Sequence, residues 1–386
     1  MVENRTFGFL CRVAPGALVS SLFVGAALLV AQSGTAIPDY SRRYDVACAT
    51  CHVHPPKLNE FGFLFAALGP EGVGLEDRGP ATSLWLSTFA GKTGSDDILG
   101  VPNRAELISL GSIAPSLTYF AEWRLLSKER LSDGSVRDRS GRFEDLYLTW
   151  QVSPVVAVSL GQQRAASQYD VSHRLSISEP SVMSTSVPGW PAATSRLTSL
   201  RGFSPGGRSP LLRVAANLSG SPGPNGTMLS VVLPFPGEFS VPLTSEAQDT
   251  ASPELDGLPK GVFAELYHRQ GLNTIGANHF EGRDGRSLTG VYGTAEWHNL
   301  HAFAGYAFHS RPAGDTALAT VDVAYVPHAD VAAGLRFDGG PDLPSTLAAY
   351  ASLMFGPAGS PFKVALEARA RDGSRPTFSL EFSFYR

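Results

Sequence analysis

The feature that most restricts the fold is a period-two alternation of apolar and polar residues, repeated along the chain from about residue 81. In the last such segment Phe378, Leu380, Phe382 and Phe384 share one face, while Thr377, Ser379, Glu381 and Ser383 share the other. The segment before it sets Phe362, Val364, Leu366, Ala368 and Ala370 against Lys363, Glu367, Arg369 and Arg371. Earlier, Leu117, Tyr119, Ala121, Trp123 and Leu125 alternate with Thr118, Glu122 and Arg124. The pattern predicts sixteen strands, near 82–91, 105–113, 116–127, 142–152, 155–163, 210–218, 226–234 and 260–269 in the first half. The second half adds 273–281, 287–297, 301–309, 316–326, 331–338, 345–356, 361–370 and 375–385.

Alternation alone also fits a soluble β-sandwich, so the connections have to decide. Short turns at 114–115, 153–154, 271–272, 298–300 and 327–328 alternate with longer links, chief among them 128–141, 164–209 and 235–259. Outer-membrane barrels have this asymmetry, with short periplasmic turns and longer outer loops. The expectation is therefore an all-β fold, a sixteen-stranded antiparallel outer-membrane β-barrel over residues 81–386, with its partner the outer-membrane lipid. Both ends of the barrel sequence then fall on the periplasmic side, and sixteen strands leave an aqueous lumen. Composition agrees. Only 17% of residues are charged, against about 25% in ordinary soluble domains, as expected if half of each strand faces lipid. A net charge of -4 argues against nucleic acid as a partner.

Residues 1–36 read as a secretory signal peptide. Arg5 and Arg12 supply its positive start, Ala17 to Ala31 its apolar run, and Gly34-Thr35-Ala36 its small residues for cleavage. A retained anchor is the alternative. Removing the signal removes Cys11, so the mature chain keeps only Cys48 and Cys51. Both lie in Cys48-Ala49-Thr50-Cys51-His52, the spacing of c-type haem attachment. Two thiols at that spacing add to the haem vinyl groups as thioethers, and the histidine that follows becomes an axial iron ligand. A redox-active thiol pair would sit in a thioredoxin-like βαβ context, which the sequence lacks. A zinc site from Cys48, Cys51, His52 and His54 would crowd four ligands into one short stretch, whereas zinc sites gather separated pairs. Haem c, attached through Cys48 and Cys51 with His52 on the metal, is the favoured reading. After Pro55-Pro56, Leu58, Phe61, Phe65 and Leu68 recur at helical spacing with Gly69 as a stop. Residues 37–80 are thus expected to form a small α-helical c-type cytochrome domain that packs an apolar helix face on the haem. No methionine lies nearby, so the sixth iron ligand is not evident.

The segment Ala36-Ile-Pro38-Asp-Tyr40-Ser-Arg42, then the haem motif, then Pro56-Lys-Leu58-Asn59-Glu-Phe61-Gly62, with Phe65 and Gly69, resembles the fused monohaem cytochrome–porin family. Its best-known members are outer-membrane iron oxidases. The detailed resemblance covers only this short segment; the remainder matches in architecture and size. It implies electron transfer from an extracellular donor such as Fe(II) to periplasmic cytochromes, the activity of an Fe(II)-oxidising oxidoreductase. Cys48, Cys51 and His52 carry over as attachment points and proximal ligand. No iron-contacting residue does. Arg386 after Tyr385 departs from the usual aromatic chain end.

Two loops and two histidines complete the reading. Loop 235–259 holds Glu238, Glu246, Asp249, Glu254 and Asp256 without a basic residue, a solvated surface or a gathering point for divalent cations. Loop 164–209 carries Arg164, Arg174, Arg196, Arg201 and Arg208 and is expected to decorate the exterior rather than fold inward. His301 and His309 share a face with Phe303, Gly305 and Ala307, which points them into the lumen. No residues form a general base or nucleophile, so no catalytic residue is assigned. Outward electron flow to an extracellular acceptor, or a diffusion porin gated by a haem domain, are the competing functions.

Overall fold

The computed structural model describes residues 38–55, 57–65, 73–75, 81–91, 104–130, 136–138, 140–165, 175–176, 208–220, 225–235, 261–283, 285–310, 314–341, 343–356 and 362–385. The expected signal peptide and residues 236–259 of the acidic loop lie outside them. The barrel strands are β1 (Ala81–Gly91), β2 (Arg104–Ala114), β3 (Leu117–Arg130), β4 (Arg142–Ser153), β5 (Val156–Arg164), β6 (Arg208–Asn217), β7 (Gly226–Pro234) and β8 (Gly261–Gln270). They continue as β9 (Asn273–Gly282), β10 (Ser287–Trp297), β11 (Leu300–Ser310), β12 (Thr316–His328), β13 (Val331–Gly340), β14 (Leu343–Phe355), β15 (Phe362–Arg371) and β16 (Thr377–Tyr385). Each pairs antiparallel with its sequence neighbours, and β16 returns to β1 through Tyr385 opposite Trp85. The sheet is a closed sixteen-stranded barrel with no open edge.

One mouth is laced by the two-residue turns 115–116, 154–155, 271–272, 298–299 and 329–330. Pro115 and Pro154 open two of them, since proline presets the φ of a turn's first corner. Gly271 and His298 supply left-handed corners, at φ 60° and 55°. The link 218–225 is longer than its neighbours at this mouth, and 341–342 is a tight turn at the opposite one. The loop asymmetry is therefore carried by the first half of the barrel.

The alternation resolves into two unlike surfaces. Leu266, Ile275, Val291, Val323, Leu335 and Phe382 stand on the outside and are exposed. Such a continuous apolar exterior is a lipid surface, not one for water. Trp150, Trp297, Tyr325 and Phe355 sit outside near the short turns, with the Phe362 ring 5.7 Å from Phe355 and 4.8 Å from Phe384. That ring of aromatics matches an interfacial girdle. Val291, 54% exposed midway along β10, tests the assignment. A Val291→Arg chain should fold into bilayers with a loss of about 2–4 kcal/mol, read by urea titration in vesicles.

The inner wall is not uniformly polar. Leu211, Val232, Phe263, Phe280, Leu288, Phe303 and Leu318, on β6 through β12, form one buried apolar cluster. Along this arc the inward-facing side chains are apolar and buried. Elsewhere the wall carries charge. Arg104 Nε and Arg124 Nε reach Glu106 Oε1 at 2.6 and 3.2 Å, and Arg124 also pairs with Glu144. These strand positions read as half of an amphipathic pattern in sequence, but their pairing across β2, β3 and β4 depends on bulges that only the fold reveals.

Candidate functional site

Residues 38–65 occupy the short-turn mouth from the inside. They comprise helix α1 (Pro38–Tyr44), a 3-10 turn at Cys48–Thr50, a ribbon in which His52 and His54 pair with Leu58 and Lys57, and a helix beginning at Glu60. This corrects the expected helix after Pro56. It starts later than predicted, because Leu58 is drawn into the ribbon opposite His52. Its described part ends at Phe65, and Leu68 and Gly69 lie outside the described residues. The segment packs on the barrel wall. Its own apolar contacts are few, chiefly the rings of Tyr40, Tyr44 and Phe65, whose centroids lie 4.9 to 6.2 Å apart. The expected apolar stripe is split. Phe65 turns to that aromatic group, while Phe61 and Leu64 line a cleft.

Asn59 organises the haem-type motif. Its backbone N–H donates to the Cys51 carbonyl (2.9 Å), and its Nδ2 donates to the carbonyls of Ala49 and Thr50 (3.1 Å each). Its Oδ1 accepts from the Gly62 N–H at 2.9 Å, capping the helix that starts at Glu60. A Cβ at Gly62 would collide with the Cys51 carbonyl oxygen, so only glycine lets this helix lie directly on the motif. In the 3-10 turn Thr50 N–H donates to Ala47 O at 2.9 Å. Residues three apart stack in such a turn, which brings backbone positions 48 and 51 one above the other. Cys51 holds a buried thiol outside any disulfide, and His52 follows it half-buried. The Cys48 side chain lies outside the described residues.

His54 is withdrawn from this donor set. Its side chain is fully buried, with Nδ1 2.8 Å from the Ala329 carbonyl and Nε2 2.6 Å from Ser352 Oγ. Both ring nitrogens are committed to the wall, which removes the fourth ligand of the alternative zinc quartet. Burial, aided by the nearby Lys363 charge, pulls its pKa down to about 3 and keeps the ring neutral. Two cysteine positions one turn apart with an imidazole directly after them are the donors that a thioether-attached haem requires. The chemistry of the residues present fits that group.

Further contacts fasten the segment. Arg43 donates to the Leu110 carbonyl at 2.8 Å, and Arg269 stacks 3.8 Å from the Phe63 ring centre. Lys57 lies near the wall carboxylates Glu296 and Asp322, yet burial dominates and pulls its amine down to about 8. The sign follows from proton binding. Between about 8 and the ordinary value of 10.5 the undocked lysine holds more protons than the docked one. Docking should therefore tighten as pH rises through that window. The protection factors of residues 38–65, that is exchange relative to the intrinsic rate at each pH, should rise between pH 8 and 10.5, and Lys57→Met should abolish that rise.

The sequence expectation for loop 164–209 also changes. Leu175 is buried with Ala324, Val326, Ala332 and Tyr350, against Val53 of the N-terminal segment. Ser176 Oγ accepts from Arg336 NH1 at 2.5 Å, and Arg336 Nε is held by Asp338 at 2.7 Å. This part of the loop folds inward, where Leu175 leaves water for an apolar cluster and Ser176 keeps a hydrogen-bond partner in Arg336. His301 and His309 do face inward and are buried, as their strand alternation predicts. His301 lies 3.6 Å from Glu296 beside Lys57's surroundings, whereas His309 sits at the far end of β11 and is not brought to the motif. An open cleft of about 850 Å³ lies between Phe61 and Leu64 on one side and Leu272, Asn273, Glu296 and His298 on the other. Cys51 and His52 do not line it.

A closed ladder, an apolar exterior and an inward-docked leading segment define the class: an outer-membrane β-barrel of porin type with residues of its leading segment in one mouth. No family model matches the sequence, and no curated protein matches it. Among solved structures, a loop-deletion mutant of OmpT, an outer-membrane protein of Vibrio cholerae, is similar at 12% identity and a TM-score of 0.47, covering 80% of this chain and 99% of that one. An anion-selective porin from Comamonas acidovorans is similar at 11% identity and 0.48, covering 80% and 99%. A mutant of Rh. blastica porin gives 11%, 0.48, 80% and 99%.

Proposed function

We propose that this chain is an outer-membrane electron conduit, in which a haem c held by Cys48 and Cys51, with His52 as axial ligand, serves an extracellular donor such as Fe(II) and a soluble periplasmic cytochrome. The observation that carries the reading is the seating of the Cys48–His52 motif inside one mouth of a membrane barrel. When bound there, haem supplies a one-electron couple whose potential follows its ligands and burial. The residues around it do the rest. Asn59 and Gly62 fix the motif, His54 and Arg43 moor it to the wall, and the barrel separates it from lipid. An electron from a donor outside cannot cross an apolar band of about 25 Å unaided, so a redox centre within the barrel has a reason to be there.

Pure protein with covalent haem, titrated with Fe(II) at acidic and neutral pH, should show the reduced spectrum under this reading. A haem that stays oxidised at both pH values excludes Fe(II) as donor. The porin-sized barrel keeps a second reading in view, a diffusion pore with a redox-sensing plug. Residues 38–65 in its mouth count against free diffusion.

A further inference from the structure

The open cleft at the short-turn mouth abuts the helix that holds the motif. Asn59, whose side chain gathers the carbonyls of Ala49 and Thr50, also lines the cleft, with Glu60, Phe61 and Leu64 after it. Gly62 of the same helix rests on the Cys51 carbonyl, so an occupant of the cleft sits against the element that lies on the motif.

The cleft, of about 850 Å³, combines an apolar floor with an acidic rim. Phe61, Leu64 and Leu272 supply the floor. Glu60 is exposed; its Oε1 accepts from Asn225 Nδ2 at 3.4 Å, and Asn225 Oδ1 accepts from the Gly271 N–H at 3.0 Å. Glu296, 25% exposed, lines the other side. Lys57 lies near Glu296 but also near Asp322, so the carboxylates outnumber it.

The surrounding face has the same sign. The links 115–116, 154–155, 218–225, 271–272, 298–299, 329–330 and 356–361 contain no lysine or arginine. Among the described side chains, the other cations near this mouth are turned inward. Arg43 is on the Leu110 carbonyl, Arg269 on the Phe63 ring, and Lys363 lies 3.7 Å from Glu381. The exposed Arg283, Arg371 and Arg375 are at the opposite mouth. Short turns mark the periplasmic end of an outer-membrane barrel, so the acidic cleft opens towards soluble periplasmic proteins.

Lysine and arginine match such a cleft, because their methylene stems cover apolar surface while the charged head stays at a polar edge. Opposite charges across the contact also speed encounter in a salt-dependent way. We propose that a soluble electron carrier docks here through a lysine- or arginine-rich face, with one basic side chain entering between Glu60 and Glu296. This rests on the electron-conduit reading above and assigns its partner a surface and a charge.

The probe is a lysine-rich c-type cytochrome, native or with its lysines succinylated, titrated by calorimetry onto full-length, haem-loaded protein in nanodiscs of zwitterionic lipid. The native probe should bind saturably, and about tenfold or more weaker when salt rises from about 0.01 M to 1 M, as the screening length falls from about 30 to 3 Å. The succinylated probe should not bind. Glu60→Lys should weaken the native probe by about tenfold or more and admit the succinylated one. Glu296→Gln, which keeps its shape, should weaken the native probe less, and Asp372→Lys at the opposite mouth should leave it unchanged. Heat-modifiable gel migration checks that each variant folds. Equal affinity for the two probes, or Glu60→Lys protein binding the native probe as tightly as wild type, overturns the docking site and leaves the haem reading intact. A chain with no covalent haem by pyridine haemochrome overturns both.

Discussion

Cys48→Ala/Cys51→Ala protein, produced beside wild type with cytochrome-maturation machinery, should lose all covalent haem while still folding as a barrel. The expectation is complete loss of peroxidase staining on a denaturing gel, because thioethers are the only bonds that survive denaturation. The barrel should persist because its strand-to-strand ladder includes none of residues 38–65. Equal amounts of heat-modifiable, membrane-inserted protein would confirm that. Retained stain in the double variant would place the cofactor elsewhere. A colourless wild type would remove the electron-transfer reading altogether and leave a plugged pore.

The second large effect concerns that plug. The short-turn mouth is crossed by the bonds of Arg43 to Leu110, His54 to Ala329 and Ser352, and the Arg269–Phe63 stack. Sixteen-stranded barrels with an unobstructed lumen conduct small solutes. Vesicles with wild-type protein should therefore swell slowly in small sugars, and a chain lacking residues 38–65 should swell roughly tenfold faster or more. If the two rates match, residues 38–65 do not limit passage, and the gated-porin function loses its gate.

How much of this was legible beforehand follows the range of the interactions. The strands were, nearly to the residue: β7 and β10 run over the predicted 226–234 and 287–297. Period-two burial is a local signal, and strands such as β8 and β9 obey it on their own. The inward aim of His301 and His309 came from the same rule. The motif at Cys48–His52 was also local. What failed was long-range. The spacing of Leu58, Phe61 and Phe65 suits a helix, but Leu58 is captured by His52 in the ribbon. Spacing alone sets His54 aside as a metal ligand, but where its ring goes is long-range: its partners lie 275 and 298 positions away. Leu175 and Ser176 belong to a loop without periodicity, so nothing in their neighbourhood announced partners on β12, β13 and β14.

The berth of His54 has a bearing on biogenesis. Ala329 and Ser352 flank β13, so His54 has no berth until the closing third of the sheet exists, although Arg43 and Phe63 meet β2 and β8. In the haem reading proposed above, a chain exported amino end first would present Cys48 and Cys51 to the maturation enzymes before that harbour is built, and barrel closure would draw the loaded segment in as its final act.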